Sequence, residues 1–160
     1  MTDIRGRLHI DGSNGQLVLS GAIDETSQLA ELPSRATGGK LSLDLAGVTF
    51  INSLGVRDWI RMMTAATAQG IAIELRRVSE PIIHQLNMII AARGTATVSS
   101  FFAPYACDAC GREESLLVEG ATPGLAEMQP PPQTCPECAA PMAFNDFPER
   151  YFSFLVPEPR

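Results

Sequence analysis

Lysine is nearly absent from this 160-residue chain. Lys40 is the only one, and twelve basic residues stand against eighteen acidic ones. The net charge of −6 speaks against nucleic acid as a partner, because phosphate contacts draw on Lys and Arg. Long apolar runs are missing too. Stretches such as residues 88–92 fall far short of the roughly 20 residues that cross a bilayer. The opening MTDIRGRLHI holds no apolar segment of a secretory signal, so a cytoplasmic location is expected. Neither G-x-x-x-x-G-K-[ST] nor G-x-G-x-x-G occurs, and Gly38-Gly39 is a lone pair before a strand. His9 and His84, the two histidines, have no nucleophile or carboxylate constellation around them in sequence. With no nucleophile, base or open metal site in view, a non-enzymatic protein is expected.

What is present is a core-forming composition, 45% hydrophobic and 19% charged, which excludes wholesale disorder. It is unevenly spread. Residues 1–106 carry nine acids and nine bases, whereas residues 107–160 carry nine acids and three arginines, so the whole charge excess lies in the last third. Eight of ten aromatics, ten of twelve prolines and all four cysteines lie at residue 101 or later. Two units are expected, residues 1–102 and 103–160, joined around residues 101–106.

The first unit alternates strand and helix signals. Residues 8–10 and 16–19 flank Asp11-Gly12-Ser13-Asn14-Gly15 and read as a hairpin. A short helix is expected over 24–32, started by Asp24 and stopped by Pro33. Residues 41–45 and 71–75 alternate with period two, the signature of strands. Val56, Trp59, Ile60, Met63 and Ala66 share one face of a helix over 53–69, ended by Gly70. A third helix starts at Ser79-Glu80-Pro81, buries Ile82, Ile83, Leu86, Ile89 and Ile90, and stops at Gly94; residues 95–102 are β-rich. The order β-β-α-β-α-β-α-β implies an α/β fold whose mixed, largely parallel sheet is covered by helices. In the second unit, Pro130-Pro131-Pro132 marks residues 120–134 as a loop excursion, and residues 151–156 read as a strand.

Cys107-x2-Cys110 and Cys135-x2-Cys138, with 24 residues between the pairs, are the strongest signal in the chain. A two-residue gap lets both thiolates of a pair reach one ion from a tight turn, and two such turns make the tetrahedral S4 site that zinc accepts. Disulfides, a redox pair and an iron–sulfur centre are the other readings. A reducing compartment disfavours disulfides, and no thioredoxin-like context surrounds either pair. Four thiolates leave no position for water, so one zinc ion held this way is structural. The module resembles a zinc ribbon over residues 105–156. Its acidity, near −8 once the centre's own charge of about −2 is added, favours protein over nucleic acid as a partner.

A second informative stretch runs Leu43-Asp44-Leu45-Ala46-Gly47-Val48-Thr49-Phe50-Ile51-Asn52-Ser53-Leu54-Gly55. A strand ends, and a helix opens at Asn52 or Ser53, both good caps. A phosphate on Ser53 would meet the favourable end of the helix dipole. This stretch resembles the STAS domain of anti-sigma-factor antagonists. Asp44-Leu45 matches the family's strand end, residues 48–51 its apolar run, and Asn52-Ser53-Leu54-Gly55 its Asp-Ser-Ser/Thr-Gly motif. Gly21-Ala22-Ile23-Asp24 is similar to its Gly-Glu-Ile-Asp. The resemblance covers about residues 5–102. It implies a regulatory protein that binds a partner kinase or anti-sigma factor, with Ser53 as phospho-acceptor. It places partner contacts at Asn52, Leu54, Gly55, Arg57, Asp58, Arg61 and Asp24. Asn52 in place of Asp, and Leu54 in place of Ser or Thr, are departures that bear on kinase recognition. A phosphorylation-independent adaptor is the alternative, with a nucleic-acid-associated zinc-ribbon protein behind it.

Overall fold

The computed structural model describes residues 7–156. Two short strands, β1 (His9–Ser13) and β2 (Gln16–Ile23), form the expected hairpin around Asn14-Gly15. Strands β3 (Lys40–Ile51), β4 (Ala72–Arg76) and β5 (Thr97–Val98) then add in parallel, giving one mixed sheet in the order β1-β2-β3-β4-β5. The connections are a 3-10 segment (Leu29–Arg35), helix α1 (Ser53–Ala68), and helices α2 (Glu80–Met88) and α3 (Ile90–Arg93). Sequential parallel order with right-handed crossovers sets these connections on one face of the sheet, and α1 packs against both the 3-10 segment and α3.

The sheet is accordingly covered on one side. Leu17 and Leu19, Leu41, Leu43 and Leu45, and Ile73 and Leu75 are buried at every second position. The alternate positions are at least partly open to solvent, most of them polar, with Val18 and Ala72 apolar exceptions. Ser42 Oγ donates to Glu74 at 3.1 Å, and Arg77 pairs with Asp44 at 3.2 Å. Trp59, Met62 and Met63 of α1 fill the buried side, and the Trp59 indole donates to Ala92 O at 2.8 Å.

Three local expectations are corrected. Asp24 does not start a helix. Its carboxylate accepts from Thr26 N at 2.8 Å, and its own N–H is taken by Ser27 Oγ at 2.9 Å. Such local bonds compete with a helix, so the 3-10 turn begins only at Leu29 and contains Pro33. The third helix breaks at Ile89, which is extended (φ −128°), leaving Ile90 exposed instead of on the buried face. Residues 151–156 are not a strand. Helix α4 (Pro148–Tyr151) and a 3-10 turn (Ser153–Leu155) replace it, because Asn87 captures their backbone: it donates to Tyr151 O and accepts from Phe154 N at 2.9 Å.

Strand β6 (Ser100–Ala106) runs unbroken through the point where the composition changes. Its start is bridged to Val78, two residues beyond β4: Phe102 N donates to Val78 O at 2.8 Å, and Val78 N donates to Ser100 O at 3.1 Å. Along its whole length it belongs to a second sheet, ordered β7-β6-β9-β8, with β7 (Glu113–Glu119), β8 (Gln133–Thr134) and β9 (Pro141–Phe144). Phe101 is fully buried and meets Phe152 and Phe154 edge-on, with ring centroids 6.0 and 5.1 Å apart. The late aromatics thus build a core continuous with that of the first sheet. The excursion at 120–134 is pinned rather than loose. Leu125 is buried, and the Tyr105 hydroxyl donates to Pro131 O at 2.7 Å. Burial pushes the Tyr105 phenol up to about 12, so it stays a donor across the neutral range.

Gly55 shows how tightly α1 is seated. A Cβ there would lie 2.4 Å from Ile23 O. Gly55→Ala should therefore cost about 1–3 kcal/mol in denaturant unfolding. Unchanged stability would mean that the α1 start is free to shift.

Candidate functional site

Each cysteine pair caps an antiparallel hairpin. Cys107 and Cys110 lie in the turn between β6 and β7, and Cys135 and Cys138 in the turn between β8 and β9. Pairing of β6 with β9, at Tyr105–Phe144 and Ala106–Ala143, brings the two turns together. The turns share one hydrogen-bond pattern. Cys107 N donates to Arg112 O and Gly111 N to Cys107 O, both at 2.8 Å. Likewise Cys135 N donates to Ala140 O at 2.8 Å and Ala139 N to Cys135 O at 2.9 Å. The fourth residue after the leading cysteine is left-handed in both, Gly111 at φ 77° and Ala139 at φ 63°. Glycine carries no strain there, whereas alanine does.

The four sulfurs lie within 4.8 Å of one another. Cys107 and Cys138 Sγ are 3.5 Å apart, and Cys110 and Cys135 Sγ 3.7 Å. All four are free thiols. A tetrahedral ion with metal–sulfur bonds of about 2.3 Å sets its sulfurs roughly 3.8 Å apart, so the donor set fits a metal such as zinc. Cys107 and Cys135 are buried, while Cys110 and Cys138 reach the surface.

The thiols differ in their readiness to ionise. N–H groups of Cys138 and Glu137 point at Cys135 and lower it to about 7. At Cys110 the Arg112 N–H favours the thiolate. Proton sharing with Cys107, burial and the remaining thiols outweigh it and push Cys110 up to about 12. At Cys138 the Ala140 N–H is likewise outweighed, chiefly by Cys107, and the thiol is raised. Crowded thiols hold one another's protons until a dication displaces them. Arg112, which the sequence reading passed over, bridges the two turns. It binds Glu114 at 2.7 Å and Glu137 at 3.3 Å and sets a cation beside the sulfurs. Its place two residues after Cys110 was the available clue.

The second candidate region is the start of α1. Asn52 is the cap: its Oδ1 accepts from Gly55 N at 2.7 Å, while its Nδ2 donates to Glu25 at 3.1 Å. Ser53 is therefore the first helical residue, exposed and not needed as the cap. Leu54, Arg57 and Arg61 are exposed as well. Gly55 is buried against Ile23. Asp58 accepts from Leu29 N at 2.6 Å and ties the 3-10 segment to α1. Asp24 organises the turn before that segment. Ser53, Arg57 and Arg61, spaced by four, share one helical stripe.

No family model and no curated protein matches the chain. Among the described residues, no helix is long and apolar enough to cross a membrane.

Metal binding should release protons and so weaken as pH falls, already above 7 through the raised thiols of Cys110 and Cys138, and more steeply below about 7, where Cys135 is protonated as well. Cys135 sits below its ordinary value of 9, so its thiolate persists above about 7 and is lost to protons below it. Cobalt titration followed by thiolate charge-transfer absorption checks this, and a pH-independent affinity would refute the four-thiolate site.

Proposed function

We propose that this protein is a non-enzymatic, STAS-type regulatory protein that binds a partner of the kinase or anti-sigma class, switched by phosphorylation of Ser53. The observation that carries the reading is the surface at the start of α1. Asn52 caps the helix, which leaves the Ser53 hydroxyl to another use. Beside it stand the exposed, apolar Leu54 and the cations Arg57 and Arg61. A phosphate on Ser53 adds about −1.5 to −2 of charge at the positive end of the α1 dipole. Arg57, one turn on, is placed to pair with it. The modification is thus tolerated by the fold while cancelling most of the positive charge that a partner meets.

Agreement of element order with a STAS domain supports the same reading: a leading hairpin, parallel strands, and a helix opening after the long central strand. Asn52, where that family has Asp, still caps but removes a negative charge next to the acceptor.

The metal at the cysteine cluster is, on this reading, one structural zinc ion, since four thiolates complete a tetrahedral shell. It holds the β6–β7 and β8–β9 turns together, making a ribbon-like module that is structural or a second docking element. The protein acts in the cytoplasm, where thiols stay reduced.

Ser53→Glu should leave the thermal midpoint within a few degrees of wild type and abolish capture of a kinase-like or anti-sigma partner that wild type retains. Paired pull-downs read by mass spectrometry provide the comparison. Equal capture by both forms, with Ser53 unmodified in the native protein, would overturn the switch.

A further inference from the structure

Strand β7 is the outer strand of the second sheet, and its register with β6 runs from Glu113 to Glu119 without a shift. Hydrogen bonds on the far side of β6 show which way the backbone of the pair points. Phe102 N donates to Val78 O, Ser100 O accepts from Val78 N, and Pro104 O accepts from Asn145 N at 2.9 Å. The backbone groups of residues 100, 102 and 104 thus face away from β7. Phe101, Ala103 and Tyr105 are left to bond it, and their partners are Val118, Leu116 and Glu114. Glu113, Ser115, Leu117 and Glu119 therefore turn their N–H and C=O groups outward. The Glu119 carbonyl accepts from Thr122 N at 3.0 Å. The other outward groups have no partner among the described residues.

An open strand edge is a template for another strand, and sheets blunt such edges with short strands, proline, lysine, bulges or a covering segment. The other edges here are blunted. β5 and β8 are two residues each, and Arg35 reaches β1, donating to Gly12 O at 3.3 Å. β7 is seven residues long and holds neither proline nor lysine. Its inner face, with Val118 buried, belongs to the core. Its outer face shows Ser115 and Leu117, the latter 41% exposed, between an exposed glutamate at either end.

We propose that β7 receives an extended, basic segment of a partner protein, added antiparallel to the edge of the second sheet. Main-chain bonds to Ser115 and Leu117 hold the segment, and Lys or Arg side chains stand opposite Glu113 and Glu119. Charge selects this occupant. Nine acids against three arginines in residues 107–160 surround the edge with negative charge. A second copy of the chain is the competing occupant. Full-length antiparallel pairing of two β7 strands would set Glu113 opposite Glu119 at both ends. Like charges directly opposite destabilise a ladder, whereas opposite charges stabilise it. The edge is separate from the Ser53 surface and stands whether or not Ser53 is a switch.

The test is an NMR titration of the full-length, zinc-loaded chain with the end-capped peptide Lys-Thr-Val-Thr-Thr-Thr-Lys. In antiparallel register its lysines meet Glu119 and Glu113, and its valine meets Leu117. Saturable shifts along β7 are expected. Amide exchange should slow at Ser115 and Leu117 and stay unchanged at Leu116 and Val118, which already bond β6. N-methylation of the peptide's third and fifth residues, whose amides face β7, should abolish binding. N-methylation of its fourth and sixth residues, whose amides face away, should spare it. A peptide with glutamates in place of the lysines should bind about ten-fold more weakly, and joint Glu113→Gln and Glu119→Gln substitution should weaken the lysine peptide about five-fold. Ser115→Pro removes one outward N–H at an edge position that tolerates proline, so it should weaken binding while the thermal midpoint holds. Absence of saturable shifts at residues 113–119 in the millimolar range would overturn the proposal. Equal binding of the glutamate peptide, or of the peptide methylated at its third and fifth residues, would overturn it too. Concentration-dependent shifts at β7 without peptide would overturn it in favour of a second copy.

Discussion

The burial of Phe101 is the contact on which the rest of the molecule depends. It stands at the start of β6, where this strand of the second sheet is bridged to Val78 just beyond β4 of the first. Burying a phenyl ring contributes about 1.5–3 kcal/mol, and each well-placed aromatic neighbour adds about 0.5–1.5 kcal/mol. Phe152 and Phe154 supply those neighbours from the far end of the chain, and Phe144 stacks on Phe152 at 5.0 Å. The same strand carries Tyr105 and delivers Cys107 two residues later. Core packing therefore sets where the first cysteine turn can stand.

From that anchor the metal-binding geometry follows by strand pairing. Two hairpins are each easy to form locally, but only the β6–β9 ladder brings their turns into register. The ladder is short, so an ion held by all four sulfurs would complete it. Arg112 contributes in the same direction by linking Glu114 to Glu137 across the turns. Its exposure to solvent keeps that contribution small.

At α1 the fold separates two kinds of residue that lie side by side in sequence. Asn52, Gly55 and Asp58 face inward or across, to Glu25, Ile23 and Leu29 respectively, and fix where the helix begins. Ser53, Leu54 and Arg57 face outward, held in position by those neighbours. A rigid frame that presents an exposed hydroxyl beside cations is what a phosphorylation switch requires, and the proposed function rests on that division.

Much of this was legible in residue order. Period-two and helical spacing located the hairpin, β3, α1, β4 and the start of α2, because each is an amphipathic element whose burial depends on its own pattern. The C-x2-C pairs pointed to four thiols that could hold one metal ion, since a two-residue gap lets both thiols of a pair reach the same point, and the fold brings the two pairs together. Other features were decided only by tertiary contacts. Residues 151–156 are apolar enough for a strand, yet Asn87, more than sixty residues away, takes their backbone groups and coils them. Asp24 looked like a helix start until its own neighbours claimed its carboxylate. Which of Ser53 and Asn52 caps α1 depends on which N–H groups lie within reach once the chain is packed. Local spacing sets periodicity and ligand sets; hydrogen-bond partners across long separations exist only after folding has brought them together.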